Sequence, residues 1–385
     1  MRFSIAMMLG TALFALAIPA CHNSGGQERV ERQGLERLTQ RDRLYDAQFV
    51  GEHLFIVGFP GIILHSADRG NSFEFLDGGQ GEALFAVDFV DETSGFIVGR
   101  DGLLLATGDG GKSWKPLPTG VKEPLFDLDF VDAKTGWLVG NFGLILHTSD
   151  GGATFARQTV SEEDEDEGEG PESEGTDSAE AGAEGQQGGE AQQGGEAEIP
   201  APPAGGAAEA GDEEPSFDRL LNGVSFVDAK TGWITGESGT LLVTHDGGKK
   251  WVPQDCGEWA PLYSVLFVDG RHGFIAGSEG ALLFSRDAGD SWERLETGTQ
   301  EHLFRLAKAK DKVFAVGRRG VMLEVPLTAG DGGLLPGKVR RVQLGVYQWL
   351  STSAFGGEGD GVLVGGQGLV MQTRDGGATW SRQAR

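Results

Sequence analysis

A Gly-x-x-Gly pair recurs seven times in this chain of 385 residues, each time after a short apolar stretch. The seven pairs are Gly58/Gly61, Gly99/Gly102, Gly140/Gly143, Gly236/Gly239, Gly277/Gly280, Gly317/Gly320 and Gly365/Gly368. Read at the second glycine, the successive steps are 41, 41, 96, 41, 40 and 48 residues, and the longest equals one repeat plus about 55 residues of low-complexity sequence. A repeat of about 40 residues made of short strands is typical of the blades of a β-propeller.

Residues 125–158 show what one repeat contains. Phe126, Leu128 and Phe130 alternate with Asp127 and Asp129, which predicts a strand whose apolar side chains pack against the neighbouring blade. The same alternation recurs at Phe85/Val87/Phe89 and at Tyr263/Val265/Phe267. Two further strands flank the glycine pair, and a fourth follows at residues 154–158. We therefore predict an all-β fold, a seven-bladed β-propeller of four-stranded antiparallel blades.

The turn between the third and fourth strands carries a second motif, Ser/Thr-x-Asp-x-Gly, usually followed by Trp or Phe three residues later. The six copies centre on Asp68, Asp109, Asp150, Asp246, Asp287 and Asp375. An aspartate at this position can accept hydrogen bonds from its own turn, while the glycine adopts the left-handed conformation. These are Asp-box turns, for which we predict a structural role. The sixth unit lacks the motif, because Val325 and Leu327 replace the hydroxyl and the aspartate, and a different loop is expected over residues 328–333.

An acidic segment of low complexity separates the third and fourth units. Residues 161–214 contain 19 Asp or Glu and no Lys or Arg, so they account for most of the net charge of −26. Such a composition cannot bury enough apolar surface to fold and predicts a disordered insert rich in Gly, Glu, Gln and Ala. The propeller is thereby divided into blades 1–3 over residues 41–160 and blades 4–7 over residues 215–385.

The N-terminus has the features of an export signal. Arg2 precedes a short apolar stretch over residues 5–18, and small residues precede Cys21. We expect a signal peptide over residues 1–20 and lipidation of Cys21, with ordinary signal-peptide cleavage as the alternative, since Pro19 is unusual in a lipobox. Residues 21–40 would form a spacer between the lipid and the propeller, in the cell envelope and facing the periplasm, at the outer rather than the inner membrane.

Two further expectations concern the remaining cysteine and the closure of the ring. Cys256 has no partner cysteine if Cys21 is acylated, and we interpret it as a buried structural thiol. Residues 35–39 have the pattern of a stray fourth strand that could close the ring beside the last blade.

With these features in view, the chain resembles the photosystem II stability/assembly factor-like β-propellers of the wider Asp-box (BNR-repeat) class. Residues 130–155 and 226–251 show the resemblance best, and it extends over residues 41–385. It implies a non-enzymatic assembly factor that holds a membrane or envelope protein, with no cofactor and no catalytic residues. The acidic insert and the sixth unit depart from the family pattern, so the identity of the partner does not carry over.

In a propeller, the hairpins between second and third strands share a face with the loops that lead into each first strand, and the Asp-boxes lie opposite. The residues most suited to binding a partner there are Arg100, Arg318, Arg319, Phe59 and Phe142, because Arg and aromatic side chains carry much of the energy of protein interfaces. The alternative is that these side chains are simply solvent-exposed parts of the turns and bind no partner. By the same topology the acidic insert would emerge on this face, either as an electrostatic shield or as a solvated spacer.

Other functions are less well supported by the sequence. A sialidase needs an arginine triad and a tyrosine–glutamate pair, and only Tyr45, Tyr263 and Tyr347 exist. Other Asp-box glycosidases use two carboxylates, for which Asp101, Glu237, Glu279 and Asp127 are available without a motif that selects them. Carbohydrate binding or glycoside hydrolysis therefore stays the alternative. The seven His residues show no metal-ligand spacing, the acidic chain has no basic stripe for nucleic acid, and we expect a monomer.

Overall fold

The computed structural model describes residues 34–78, 81–161, 217–330 and 333–384. Within these ranges the strands form seven antiparallel sheets, and each sheet is built from one continuous stretch of chain. The predicted seven-bladed propeller is therefore confirmed. The predicted signal peptide, the lipidation site Cys21 and nearly all of the acidic insert lie outside the described residues.

Blades 1 to 4 each consist of four strands that follow one another along the chain. Blade 1 contains β1 (Arg43–Val50), β2 (His53–Phe59), β3 (Ile62–Ser66) and β4 (Glu74–Phe75). Blade 2 contains β5 (Leu84–Phe89), β6 (Gly95–Gly99), β7 (Leu104–Thr107) and β8 (Lys115–Leu117). Blade 3 contains β9 (Leu125–Phe130), β10 (Gly136–Gly140), β11 (Ile145–Thr148) and β12 (Ala156–Gln158). Blade 4 contains β13 (Leu221–Phe226), β14 (Gly232–Gly236), β15 (Leu241–Thr244) and β16 (Val252–Pro253).

The remaining blades follow the insert and blade 4 in chain order. Blade 5 contains β17 (Leu262–Phe267), β18 (Gly273–Gly277), β19 (Leu282–Ser285) and β20 (Glu293–Arg294). Blade 6 contains β21 (Leu303–Ala309), β22 (Lys312–Gly317), β23 (Met322–Gly330), β24 (Gly333–Pro336) and β25 (Arg340–Arg341). Blade 7 contains β26 (Leu350–Phe355), β27 (Gly361–Gly365), β28 (Leu369–Thr373) and β29 (Ser381–Arg382).

Helical structure among the described residues is limited to short 3₁₀ segments of three residues each. They are Leu35–Arg37, Arg100–Gly102, Ser278–Gly280, Arg318–Gly320, Gly357–Gly359 and Gly366–Gly368. No helix in the described part of the chain has the length and apolar character needed to cross a membrane.

In five of the Gly-x-x-Gly pairs, of which Gly140/Gly143 is an example, the two glycines are required by two different close approaches. A Cβ on Gly140 would overlap the carbonyl oxygen of Pro124, at the entrance to the same blade. A Cβ on Gly143, where φ is +64°, would overlap the carbonyl oxygen of Phe217, at the entrance to the next blade, and the Gly143 amide donates to the Arg219 carbonyl at 2.7 Å. The hairpins and the entry segments therefore meet on one face of the ring, which we call the tip face.

Stacked aromatic rings join one blade to the next. The Phe226 ring at the end of β13 lies on the Trp137 ring of blade 3, with centroids 3.5 Å apart, and the Trp251 ring of the Asp-box meets it edge-on at 5.8 Å. Gly232 faces the Phe226 ring so closely that a side chain there would displace it. Phe267 repeats the arrangement on Trp233, also at 3.5 Å. Burying such a ring contributes roughly 2–3 kcal/mol, so the recurring stack holds the ring together.

The Asp-boxes have the geometry that the sequence predicts. In blade 3, Asp150 Oδ1 accepts from the Thr154 amide at 2.9 Å and Oδ2 accepts from the Thr154 hydroxyl at 2.6 Å. The Thr148 hydroxyl donates to the same carboxylate and accepts from the Gly152 amide. All six aspartates accept a comparable backbone amide hydrogen bond. These bonds lower the pKa of the Asp150 carboxyl, because they favour its charged form.

Blades 1 and 7 close the ring by side-by-side packing. Ser351 Oγ donates to the Leu44 carbonyl at 2.7 Å, and the Gly368 amide donates to the Asp42 carbonyl at 2.8 Å. Leu35 and Leu38 are buried in the apolar cluster shared by the two blades. The predicted strand over residues 35–39 is wrong, because residues 35–37 form a 3₁₀ turn that inserts two leucines between blades without pairing to a sheet.

Blade 6 and the borders of the insert also differ from expectation. Residues 328–330 do not form a loop but continue β23, which pairs with β24 in a long hairpin. Val160, just before the insert, pairs in parallel with Trp251 at the outer edge of blade 4, whereas Phe217 returns at the tip face against Gly143. The insert therefore joins the outer rim of blade 4 to the tip face, and only its C-terminal end is attached at that face.

Candidate functional site

A β-bulge lies near the start of the innermost strand in all seven blades. The pairing register shifts at one residue each time: Tyr45, Phe85, Phe126, Asn222, Tyr263, Phe304 and Ser351. A bulged residue leaves the alternating pattern of its strand and points elsewhere. Leu125 therefore joins Leu128 and Phe130 in the core, while Phe126 is half-buried. The prediction that Phe85, Phe126 and Tyr263 pack in the core between blades is thus wrong.

Three of the bulged aromatic side chains form a continuous row with Trp349, which precedes β26, at the channel mouth on the tip face. The Trp349 and Tyr45 rings are stacked at 6.0 Å, and the centroid distances from Tyr45 to Phe85 and from Phe85 to Phe126 are both 5.5 Å. All four side chains are half-buried. We call these four residues the mouth row. A second group, Tyr263, His302 and Phe304, lies on blades 5 and 6, with Tyr263 and Phe304 also 5.5 Å apart.

Four strongly exposed aromatic side chains surround the mouth. Trp259 is 84% exposed and Tyr347 is 88% exposed, and both lie on segments that lead into the next innermost strand. Phe142 and Phe59, on the hairpins of blades 3 and 1, are 53% and 37% exposed. The fifth large apolar side chain exposed among the described residues, Leu335, lies on the blade 6 hairpin at the opposite face. Clustering of exposed aromatic groups on one face is typical of a binding surface.

The residues predicted to bind a partner all lie on the tip face, but around its rim. Phe59, Arg100, Phe142 and the adjacent pair Arg318 and Arg319 occupy the hairpins of blades 1, 2, 3 and 6. Arg319 pairs with Glu301 at 3.5 Å. The structure thus places the five residues around one opening and does not form them into a single pocket. Trp259, Tyr347 and the mouth row are not among the residues that the sequence predicts to bind a partner.

Below the mouth, the innermost strands enclose a cavity of about 430 Å³ lined by all seven blades. Asp46 Oδ2 accepts from the Val87 amide at 3.1 Å, and Asp127 Oδ2 accepts from the Val224 amide at 3.0 Å. Asp88 and Asp129 accept from Phe130 and Phe226 in the same manner. Each carboxylate therefore satisfies a backbone donor of the next blade, where no sheet hydrogen bond is available.

Arg305 of blade 6 reaches across this channel. Its Nη2 atom lies 2.8 Å from Asp127 Oδ1 in blade 3 and 3.4 Å from Asp46 Oδ2 in blade 1. Both carboxylate side chains are buried. Asp127 and Asp46 raise the pKa of the guanidinium although burial opposes this, so Arg305 stays charged. The channel is thus bridged by a salt bridge between its opposite walls.

Burial raises the pKa of three channel carboxyls, Asp46, Asp88 and Asp129. Burial, with the Asp127 and Asp46 carboxylates as further causes, raises the pKa of Asp88 to about 6. Burial, together with the nearby Asp88 carboxylate, raises the pKa of Asp129 well above its ordinary value. Asp88 and Asp129 are therefore expected to take up protons in mildly acidic solution.

The carboxylates considered for glycoside hydrolysis lie on four different blades. Asp101, Glu237 and Glu279 lie on the hairpins of blades 2, 4 and 5, and Asp127 lies inside the channel, bound to Arg305. Within the described ranges, no group of three His, Cys, Asp or Glu side chains is arranged to hold a metal ion. Cys256 is buried in the cluster between blades 4 and 5, as expected, and burial raises the pKa of its thiol.

Comparison with solved structures supports the fold. The structure titled "YCF48 bound to D1 peptide" matches with a TM-score of 0.59 at 16% identity, covering 87% of this chain and 92% of that one. YCF48 from Cyanidioschyzon merolae matches with a TM-score of 0.59 at 16% identity, over 88% and 96%. An ancestral GH74 enzyme matches with a TM-score of 0.62 at 11% identity, over 91% of this chain and 47% of that one. No curated protein sequence matches the chain.

The sequence itself matches a family model described as "Photosynthesis system II assembly factor YCF48". The match covers residues 76–163 and 213–319, just over half of the chain, and it includes blades 2 to 5 on both sides of the insert. This chain therefore belongs to the family of photosystem II assembly factor YCF48-like β-propellers.

Proposed function

We propose that this protein is a non-enzymatic scaffold that binds a polypeptide segment of a membrane or periplasmic protein at the channel mouth. The single observation that carries the proposal is the half-buried mouth row, surrounded on one face by Trp259, Tyr347 and Phe142. Aromatic side chains at such positions provide large contact areas at a small cost in conformational entropy. The solved YCF48 bound to a D1 peptide supports the same kind of activity for this family member.

The location in the cell is part of the proposal. The N-terminal sequence up to Cys21 supports export and lipidation, which would place the monomeric propeller at the periplasmic side of a membrane, the outer one by preference. Metabolic labelling with a radioactive fatty acid tests this directly. We expect label in the wild-type protein and none in Cys21→Ala, and label in neither protein would contradict the lipid anchor.

The binding proposal is tested by selection with the purified chain. A phage-displayed library of random twelve-residue peptides should yield binders, and the variant Phe85→Ser/Phe126→Ser should lose them. The control is Leu335→Ser, which removes an exposed apolar side chain from the opposite face. Circular dichroism and thermal unfolding establish that each variant is folded.

Carbohydrate binding is the alternative function, and it is tested by applying the purified chain to an array of glycans. Aromatic rows also stack on sugar rings, and the similarity to a GH74 enzyme concerns the fold alone. Binding to glycans without any selected peptide would replace the protein-binding proposal by a carbohydrate-binding one. Hydrolysis of a glycan by the purified chain would contradict the non-enzymatic part.

A further inference from the structure

Blade 6 is strongly basic in an otherwise acidic chain. Residues 303–348 contain nine Lys or Arg and three Asp or Glu, although the whole chain has a net charge of −26. This is also the blade in which the long hairpin of β23 and β24 replaces the Asp-box. The excess of positive charge is therefore concentrated where the repeat pattern is interrupted.

Five of these cations lie at the outer corner of blade 6, on the face that carries the Asp-boxes, which we call the Asp-box face. The turn between β21 and β22 lies beside the first strand of the hairpin, since the Leu327 amide donates to the Asp311 carbonyl at 2.7 Å. The chain leaves the hairpin at Gly337, whose amide donates to the Pro326 carbonyl, and then forms β25 at the edge of the blade. We call the following residues the basic corner: Lys310, Lys312, Lys338, Arg340 and Arg341.

Three of the five cations have no acidic partner within the described residues. Glu324 pairs with the other two, at 2.9 Å from Lys312 Nζ and 3.9 Å from Arg340 Nη1. Lys310, Lys338 and Arg341 are exposed and form no ion pair in that part of the chain. The corner therefore presents uncompensated positive charge to the solvent.

An exposed apolar side chain lies next to these cations. Leu335 of β24 comes three residues before Lys338 and pairs with Thr328, which is also exposed. A lipid bilayer has partners for both kinds of group, because anionic headgroups attract Lys and Arg while the acyl boundary accepts an apolar side chain. An acidic polypeptide such as residues 161–214 would match the charges but has few large apolar side chains to cover Leu335.

The chain enters the propeller on the same face. A Cβ on Gly34 would overlap the carbonyl oxygen of Phe73, which directly follows the Asp-box turn of blade 1. From there the chain runs to the tip face, where the Asp42 carbonyl accepts from the Gly368 amide at 2.8 Å. The lipid anchor proposed above would therefore attach on the side of the basic corner.

We propose that the basic corner docks on the surface of a bilayer that contains anionic phospholipid, so that the tip face and its mouth row point away from the membrane. The inference goes beyond the proposed function, which concerns the opposite face, and each can fail without the other. A Lys or Arg close to such a surface favours binding by about fivefold, and salt screens this attraction.

The test is photo-crosslinking of the full chain to lipid vesicles. The amino acid p-benzoylphenylalanine replaces Leu335 at the basic corner or Phe142 at the tip face, both of which are exposed. The vesicles consist of phosphatidylcholine alone or of an equimolar mixture with phosphatidylglycerol. Mass spectrometry should find lipid adducts at position 335 about fivefold or more above those at position 142, and only with the anionic vesicles.

A matched pair of charge reversals examines the role of the cations. Lys338→Glu/Arg341→Glu should reduce the lipid adducts at position 335 about fivefold or more, and high salt should have the same effect. The control Lys112→Glu/Lys115→Glu reverses as many charges at exposed positions of blade 2 and should leave the adducts unchanged. Circular dichroism and thermal unfolding establish that each variant is folded. Equal lipid adducts at positions 335 and 142, or in the two double variants, would overturn the inference.

Two further outcomes would also count against membrane docking. Position-335 adducts that form equally with phosphatidylcholine alone would show an apolar contact without recognition of anionic lipid. Adducts between position 335 and residues 161–214 in place of lipid would assign the basic corner to the acidic segment of the chain itself. Phage-selected peptides should bind Lys338→Glu/Arg341→Glu as tightly as the wild type, and a failure to select any peptide would contradict the proposed function while leaving the lipid adducts unaffected.

Discussion

Arg305 of blade 6 donates a hydrogen bond of 2.8 Å to Asp127 of blade 3, on the opposite wall of the central channel. The two residues are 178 positions apart in the chain, and Asp46 of blade 1 completes the cluster at 3.4 Å. The Arg305 guanidinium thus pairs with carboxylates of blades 1 and 3, neither of which is a neighbour of blade 6 in the ring. The channel therefore contributes to the cohesion of the ring and is not an open pore at this level.

Arg305→Met should destabilise the protein by about 3–5 kcal/mol, because it leaves buried carboxylates without a cation. Unfolding in urea, followed by circular dichroism, measures the loss. The control is Arg100→Met, which removes an exposed arginine from the tip face and should change stability by less than about 0.5 kcal/mol. Adding Asp127→Asn to Arg305→Met should recover part of the loss, and a purely additive result would argue against the cross-channel pair.

Stability should decline as the pH rises from about 4 to about 6. The pKa of Asp88 is raised to about 6 by burial, so the folded state binds this proton more tightly than the unfolded chain does. The stabilising contribution is complete below the unfolded pKa of about 4 and is lost as the pH passes the folded value. A loss on the order of 2 kcal/mol is expected between pH 4 and pH 7.

Urea unfolding midpoints at constant ionic strength measure this dependence. Asp88→Asn should make the decline shallower, with the remainder due to Asp129, whereas Asp101→Asn, at an exposed hairpin position that tolerates asparagine, should leave it unchanged. A wild-type midpoint that rises steadily from pH 4 to pH 7 would contradict the raised pKa.

The Asp-boxes should produce the opposite dependence at lower pH. Hydrogen bonds from Thr379, foremost that of its hydroxyl, lower the pKa of Asp375 to about 2. The folded state therefore favours the charged carboxylate, and its contribution is present above about pH 4 and lost as the pH falls through about 2. Asp375→Ala should lower the melting temperature at pH 7 but have little effect at pH 2. Asp290→Ala, at an exposed position of the blade 5 turn, is the control and should be neutral at both pH values.

Gly143→Ala should be far more destabilising than Gly120→Ala, although both glycines have positive φ, +64° and +79°. A Cβ at Gly143 overlaps the carbonyl of Phe217 in the next blade, whereas a Cβ at Gly120 meets nothing within 4 Å. The backbone conformation alone costs about 1–2 kcal/mol, and the overlap adds to this only at Gly143. Equal losses in chemical denaturation would mean that the inter-blade contact is unimportant.

Tyr347→Ser and Trp259→Ser should weaken the binding of phage-selected peptides without affecting the fold. Both side chains are more than four-fifths exposed, so their removal should change stability by less than about 0.5 kcal/mol. Interface aromatics that act as anchors typically cost more than 1 kcal/mol when truncated, which corresponds to a loss of about fivefold or more in affinity. Fluorescence anisotropy with a labelled peptide measures this. Unchanged affinity in both variants would move the binding site away from this part of the tip face.

The architecture could be predicted from the sequence, because the length of the repeat and its short strands are typical of propeller blades. Glycines at a nearly constant interval predicted seven blades, since most of them are needed where a hairpin lies directly against an entry segment. The Asp-boxes were equally predictable, because all their hydrogen bonds lie within eight residues of chain. Interactions between residues that are close in the chain can be predicted from the local sequence.

The position of the mouth row and the pairing of charges in the channel depend on contacts that form only when the ring of blades closes. The alternation in residues 126–130 predicts one uninterrupted strand face, but a bulge at Phe126 shifts that residue to the mouth and brings Leu125 into the core. The signal was the recurring Leu-aromatic pair at the start of five innermost strands, as in Leu84-Phe85. The meeting of Arg305 with Asp127 depends on closing a ring of seven blades, and no local pattern in the chain encodes a contact across 178 residues.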